Sequence, residues 1–119
     1  MIKYHYSGDI KIAEIIPGSE TIKTPEDMLD IMVDAGYNDC SGMIINENSF
    51  HPDFFDLSTG LAGEILQKFS NYRMKLAITG NFSDVKSKSL RDYIRESNKR
   101  REICFVESAV EALSIFGKS

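Results

Sequence analysis

Two hydroxyls stand side by side at Ser58 and Thr59, between Asp56 and a pair of glycines, Gly60 and Gly63. Hydroxyls just ahead of an apolar run at helical spacing have two chemistries open to them. They can cap the helix by accepting from its first backbone N–H groups. They can also hold or carry a phosphate, because free N–H donors and the helix dipole favour negative charge there. The glycines fall in the first turn, where a missing side chain lets another backbone come close. Gly80-Asn81 ends the following strand, and in an open α/β sheet ligands settle beyond the C-terminal strand ends. The candidate ligand- or partner-binding set is therefore Ser58, Thr59, Gly60, Gly63 and Asn81, with Ser58 and Thr59 as candidate phosphorylation sites. Arg73 or Lys75 would complete an anion site with Asn81.

Other chemistry-bearing residues are sparser. His51 lies in a polar loop with no acidic or thiol partner at ligand spacing, and His5 sits mid-strand, where a structural role is expected. Asp53, Asp56 and Glu64 form a carboxylate cluster by spacing, but aspartates at helix starts usually cap. Cys40 and Cys104 are far apart and read as buried free thiols. Gly117-Lys-Ser is a tail and not part of a Gly-x4-Gly-Lys-Ser/Thr phosphate loop, and the chain has no Gly-x-Ser-x-Gly elbow and no His-Glu-x-x-His. No catalytic residue, metal ligand or cofactor is assigned. Lys86, Lys88, Arg91, Arg95, Lys99, Arg100 and Arg101 form a basic segment in which Arg91 and Arg95 share a helix face. Asp92 and Glu96 blunt it, and only Tyr93 offers an aromatic ring for stacking, so a solvated helix face or an acidic-protein docking face is favoured over a nucleic-acid face.

The elements that must position these residues are legible from periodicity. Ile2–Tyr6 and Ile10–Ile16 alternate about Ser7-Gly8-Asp9, which predicts a β-hairpin; Pro17-Gly18 stops the second strand. Thr24-Pro25-Glu26-Asp27 opens a helix with Met28, Ile31, Met32 and Ala35 on its apolar face, ended by Gly36. Cys40–Ile45 is a short buried strand, and Pro52–Phe55 can add a single turn. A helix from about Thr59 to Tyr72 carries Leu61, Ile65, Phe69 and Tyr72 in one stripe, with Ala62 and Leu66 beside them. A strand covered on both faces follows at 75–80. A short helix turns Leu90 and Ile94 inward, a strand runs over 102–106, and Ser108 with Glu111 opens a closing helix bearing Val110, Leu113 and Phe116.

A hairpin followed by αβαβαβα predicts an α/β fold with a mixed sheet whose later strands, at 42–46, 75–80 and 102–106, are parallel. At 119 residues the chain fits a single domain over 1–119. Its content of 42% hydrophobic and 27% charged residues is that of an ordinary soluble protein. No apolar run is long enough for a membrane span, and the N-terminus carries no signal-peptide core, so a cytoplasmic location is expected. The net charge of −4 is unevenly distributed. Residues 1–64 carry a balance of −9 and residues 65–119 a balance of +5. Such asymmetry points to an oppositely charged partner, to self-association through unlike faces as a homodimer, or simply to two differently solvated faces.

The element order and the motif Asp56-Leu-Ser58-Thr59-Gly60-Leu61-Ala62-Gly63 resemble the STAS fold of bacterial anti-sigma-factor antagonists. There an Asp-Ser-Ser-Gly-Leu-Gly motif opens this helix and a partner kinase phosphorylates one serine. Here an extra residue separates Asp56 from Ser58, and the preceding loop is longer. A resemblance along nearly the whole chain is carried by FFDLSTGLAGEILQKFSNYR, LAITGNF, SKSLRDYIRESN and FVESAVEAL, which are similar to the bacterial DUF-4180 family. The DUF-4180 family has no assigned activity; the STAS resemblance and the helix opening imply a small regulatory or protein-interaction module without catalysis, contacting a partner or anion at Ser58–Gly63. The alternative is an anion or nucleotide binder, or an enzyme, using the same sheet edge. A basic-face nucleic-acid binder is the third reading.

Overall fold

A computed structural model describes residues 2–16, 22–100 and 103–117. Five strands form one sheet in sequence order: β1 (Ile2–Ser7), β2 (Ile10–Ile15), β3 (Gly42–Asn46), β4 (Lys75–Thr79) and β5 (Ile103–Val106). β1 and β2 are antiparallel, in a register from Ile2 opposite Ile15 to Ser7 opposite Ile10. Their two-residue loop places Gly8 at φ 64°, as primed hairpin turns require. The pairs β2–β3, β3–β4 and β4–β5 are all parallel. The parallel part of the sheet is thus one strand wider than the expected three. The Pro17-Gly18 stop and the Glu102 start of the last strand fall outside the described residues.

Among the described residues, three helices fill the parallel connections, α1 (Pro25–Tyr37), α2 (Leu61–Asn71) and α3 (Lys88–Arg100), and α4 (Ala109–Gly117) follows the last strand. Each crossover from β2 to β5 steps the same way across the sheet. One handedness therefore puts α1, α2 and α3 on one face. Met28, Met32 and Ala35 of α1 and Ala62, Ile65, Leu66 and Phe69 of α2 pack there on Ala13, Ile15, Met43, Ile45, Leu76 and Ile78, with Tyr93 and Ile94 of α3 against them. Among the described residues α4 alone covers the other face, setting Ala112 and Phe116 on Ile12, Ile44, Ala77, Cys104 and Val106. β4 lies inside the sheet, and its Leu76, Ala77 and Ile78 are fully buried, as its unbroken apolar sequence requires.

Local chemistry sets most element ends. Thr24 Oγ1 accepts the Asp27 N–H at 3.1 Å while Asp27 Oδ2 accepts the Thr24 N–H at 3.2 Å, a reciprocal cap with Pro25 at the first helical position. Gly36 does not end α1. The helix runs on to Tyr37, and Asp39, at φ 65°, makes the left-handed exit. Aspartate tolerates that region better than most residues, and the exit is held by the Cys40 N–H donating to Ala35 O at 3.0 Å. At α4, Ser108 Oγ accepts the Glu111 N–H at 3.2 Å, but Glu111 reaches back to the Glu107 N–H instead of that of Ser108. Val110 points away from the sheet and is 78% exposed, because Ala112 and Phe116 take the buried stripe. Tyr72, expected on the apolar stripe of α2, is likewise exposed.

Both thiols are free and buried. Burial pushes Cys40 upward and raises Cys104 to about 11, which keeps both protonated and unreactive at neutral pH.

Candidate functional site: the helix-opening loop and the basic groove

Between β3 and α2 the chain winds through three short 3-10 turns, Glu47–Ser49, Pro52–Phe55 and Leu57–Thr59. Each is capped by the residue before it. Asn46 Oδ1 accepts the Asn48 N–H at 2.9 Å, and His51 Nδ1 accepts the Asp53 N–H at 3.1 Å. Asp56 Oδ1 accepts both the Ser58 N–H at 3.1 Å and the Ser58 hydroxyl at 2.6 Å. His51 therefore holds a turn, with the Asp53 carboxylate 3.6 Å from its Nδ1. Asp56 also caps, as aspartates at such positions usually do.

The hydroxyls do not occupy the position expected of them. Gly60 is the N-cap of α2, at φ 77°, and offers no side chain to the helix. The chain has already turned tightly through Leu57–Thr59, so entering α2 needs a left-handed residue, which glycine takes without strain. Thr59 retains part of the capping role, its Oγ1 accepting the Leu61 N–H at 3.2 Å while lying 2.8 Å from Asp53 O and 2.9 Å from Asp56 O. Ser58 bonds Asp56 and points at solvent. An added Cβ at Gly60 or Gly63 would meet nothing within 4 Å, so neither glycine serves a close backbone approach.

Ser58, through its hydroxyl and then its N–H, holds the Asp56 carboxyl below the usual aspartate range. The group next to the Ser58 oxygen is thus a firmly ionised carboxylate, and Glu64 adds a second in the first turn of α2. Like charge at this distance opposes an incoming phosphate and offsets the attraction of the helix dipole.

Asn81 builds the same turn one loop later: its Oδ1 accepts the Ser83 N–H at 3.2 Å and the Ser83 hydroxyl at 2.6 Å. Arg73 and Lys75 cannot join it. Arg73 precedes β4 and Lys75 is its first residue, while Asn81 lies past its end, so the length of the strand, about 17 Å, separates them. Arg73 and Lys75 instead border a separate hollow with Phe69, Ser70, Met74 and Ile103 at the opposite end of the sheet. The anion site built from Asn81 with Arg73 or Lys75 is therefore not formed.

What joins the two loops is aromatic. Phe50 stacks on Phe54 with centroids 4.2 Å apart, Phe54 meets Phe55 edge-on at 4.9 Å, and Phe55 lies 6.2 Å from Phe82. Phe82 meets Phe105 of β5 at 5.3 Å, and Phe105 meets Tyr93 of α3 at 6.3 Å. The row runs from the helix-opening loop, under the Asn81 turn, to α3. Burial pushes the Tyr93 hydroxyl upward, so this end of the row stays neutral.

Beyond Phe82 the surface is concave. Phe82, Arg91, Ile94, Arg95, Asn98 and Lys99 line a hollow of 560 Å³ on the outer side of α3. Arg91, Arg95 and Lys99 recur every four residues and so share one stripe of the helix. Arg91 is partly committed, donating through Nη1 to Val85 O at 3.0 Å and Lys86 O at 3.1 Å. Among the described residues, Arg95 and Lys99 meet only same-helix carboxylates, Asp92 at 2.7 Å and Glu96 at 3.5 Å, in exposed pairs that contribute little and exchange readily. Asn98 anchors the helix: its Oδ1 accepts the Phe105 N–H at 2.7 Å and its Nδ2 donates to Phe105 O at 3.2 Å, closing part of the free edge of β5. Gly63 opens onto a second, narrower groove of 330 Å³ between α2 and α3, with Tyr93, Glu96 and Arg100 across from it.

Residues 7–115 match the family described as Domain of unknown function (DUF4180). The chain belongs to this family. The DUF4180 match begins at the last residue of β1 and ends within α4, so it takes in both loops, the aromatic row and the α3 groove. No curated protein and no solved structure matches the chain. The STAS resemblance accordingly rests on the element order and the helix-opening motif.

Among the described residues, no group of three or more histidine, cysteine, aspartate or glutamate side chains could hold a metal ion, and no helix is long and apolar enough to cross a membrane. Sequence reasoning missed the aromatic row and the Asn98 clamp on β5. Phe-His-Pro-Asp-Phe-Phe at 50–55 was the visible signal for the row, since three rings in six residues of loop must find cover. It missed too that His5 has a carboxylate partner, Glu14, at 2.7 Å across the hairpin.

Proposed function

We propose that this DUF4180 protein is a regulatory interaction module that acts by binding an acidic protein segment, without catalysis. The contact surface in this reading is the α3 groove, and the Ser58–Gly63 loop adjoins it through the Phe55–Phe82 contact. One observation carries the proposal: an apolar floor, Phe82 and Ile94, is bordered by Arg91, Arg95 and Lys99 in a single stripe. A floor of that kind accepts an apolar side chain, while the border selects carboxylates around it and steers their approach. The carboxylate beside Ser58 supports the same reading, because it disfavours a free anion at the helix start and leaves that loop as a contact for protein.

The test is a titration of a labelled peptide that alternates acidic and apolar residues, followed by anisotropy. Wild type should bind it, a version with asparagine and glutamine in place of the acids should bind at least about tenfold more weakly, and Arg95→Glu with Lys99→Glu should abolish binding. A single-stranded oligonucleotide that binds where the peptide does not would replace the reading with nucleic-acid recognition. Failure of both to bind would reduce the groove to a solvated helix face.

A further inference from the structure

The molecule carries on its own surface a segment with the chemistry the groove selects. α1 has four carboxylates, Glu26, Asp27, Asp30 and Asp34, and no basic residue along its thirteen positions. Its outward stripe, spaced four, three and four, is Glu26, Asp30, Val33 and Tyr37, with Asp34 alongside. Val33 is 54% exposed and Tyr37 88% exposed, so two apolar side chains project among carboxylates with nothing over them. α3, also thirteen residues, has five bases against two carboxylates and the Phe82–Ile94 floor beside them. Each surface lacks what the other supplies.

We infer that the occupant of the α3 groove is α1 of a second copy of this chain, so that the protein self-associates through paired α1–α3 contacts. The inference rests on the groove reading above and names its partner. α1 and α3 lie on the same face of the sheet with α2 between them, so a two-fold axis passing near α2 sets α1 of each copy on α3 of the other, and the contact occurs twice. Val33 and Tyr37 then cover Phe82 and Ile94. Asp30 and Asp34 exchange partners with Arg95 and Lys99, which give up their weak same-helix pairs. The Tyr37 ring also offers a face to a guanidinium. The part of the opposite balances of residues 1–64 and 65–119 that lies on α1 and α3 thereby meets across one interface.

Sedimentation equilibrium of the full chain tests this, at low ionic strength and in about 1 M salt, where the screening length falls to about 3 Å. A dimer at low salt that weakens at high salt is expected. Asp30→Lys with Asp34→Lys, and separately Arg95→Glu with Lys99→Glu, should each weaken dimerisation at least about tenfold. All four substituted side chains are exposed, and circular dichroism verifies that each variant is folded. The decisive arm mixes the two variants, because each then meets a complementary partner at both contacts and a mixed dimer should return. A wild type that stays monomeric, or a dimer indifferent to both charge reversals, overturns the inference. If the monomer still binds the acidic peptide described above, the groove reading stands and only the second copy is wrong. If neither dimer nor peptide binding appears, both fall.

Discussion

α1 and α3 are equal in length and lie on the same face of one sheet, yet they are held by different means. α1 buries Met28, Met32 and Ala35 in the larger core cluster and begins with a reciprocal cap. α3 buries Leu90 alone and relies on Ser87 at its start, the Asn98 clamp on Phe105 and the edge of the aromatic row. α1 spends its apolar face on the core and leaves an acidic stripe to solvent. α3 spends little on the core and keeps its basic face and the neighbouring Phe82 available. A helix that is ordered by a few specific bonds while burying so little is suited to presenting a surface.

The widest separation between the two helices should appear on truncating their buried side chains. Met32→Ala should destabilise by about 2–5 kcal/mol, the usual cost of emptying a core position, whereas Leu90→Ala should cost about 2 kcal/mol or less because it belongs to neither core cluster. Chemical denaturation of the two variants measures both. Equal losses would show that α3 is as much a core helix as α1.

A smaller effect isolates the clamp. Asn98→Ala removes the partner of both backbone groups of Phe105, a residue only 5% exposed, and should cost about 1–3 kcal/mol. Amide hydrogen exchange should then accelerate at Phe105 and along α3 while α1 keeps its protection. Uniform acceleration in both helices would mean that α3 does not open as a separate unit.

Smaller still is the electrostatic trim of α3. Lys88, through its hydrogen bond and then its charge, and Arg95 hold Asp92 below the usual aspartate value of 3.8. A carboxyl whose folded pKa is lowered stabilises the fold above its unfolded value and loses that contribution as pH falls through the folded one. Below pH 4, therefore, α3 should fray before α1. Lys88→Gln should move the Asp92 titration upward, as followed by carboxyl NMR. No movement would show that the pair at 3.0 Å does not persist in solution.

The order of strands and helices was legible in the sequence because its signals are local. Period-two alternation in β1 and β2, unbroken apolar runs in β3 and β4, and the Thr24-Pro25-Glu26-Asp27 start each specify their own segment without reference to the rest. The separation of Arg73 and Lys75 from Asn81 is also a matter of strand length alone, yet sequence reasoning joined them in one site, because spacing along the chain was not converted into distance along β4. Element ends were harder. Whether Gly36 or Asp39 takes the left-handed exit of α1 depends on where β3 must begin, and whether Thr59 or Gly60 caps α2 depends on the turn that precedes it.

Only the tertiary structure decided which side chains meet. The aromatic row joins residues from Phe50 to Phe105, and the Asn98 amide reaches the backbone of β5 because α3 lies along that edge. The charge halves were countable from the sequence. That the acidic stripe of α1 and the basic stripe of α3 lie on one face, flanking α2, follows from crossovers of a single hand. Local preference sets what each segment can become. The packing of the sheet sets what each segment is left to present.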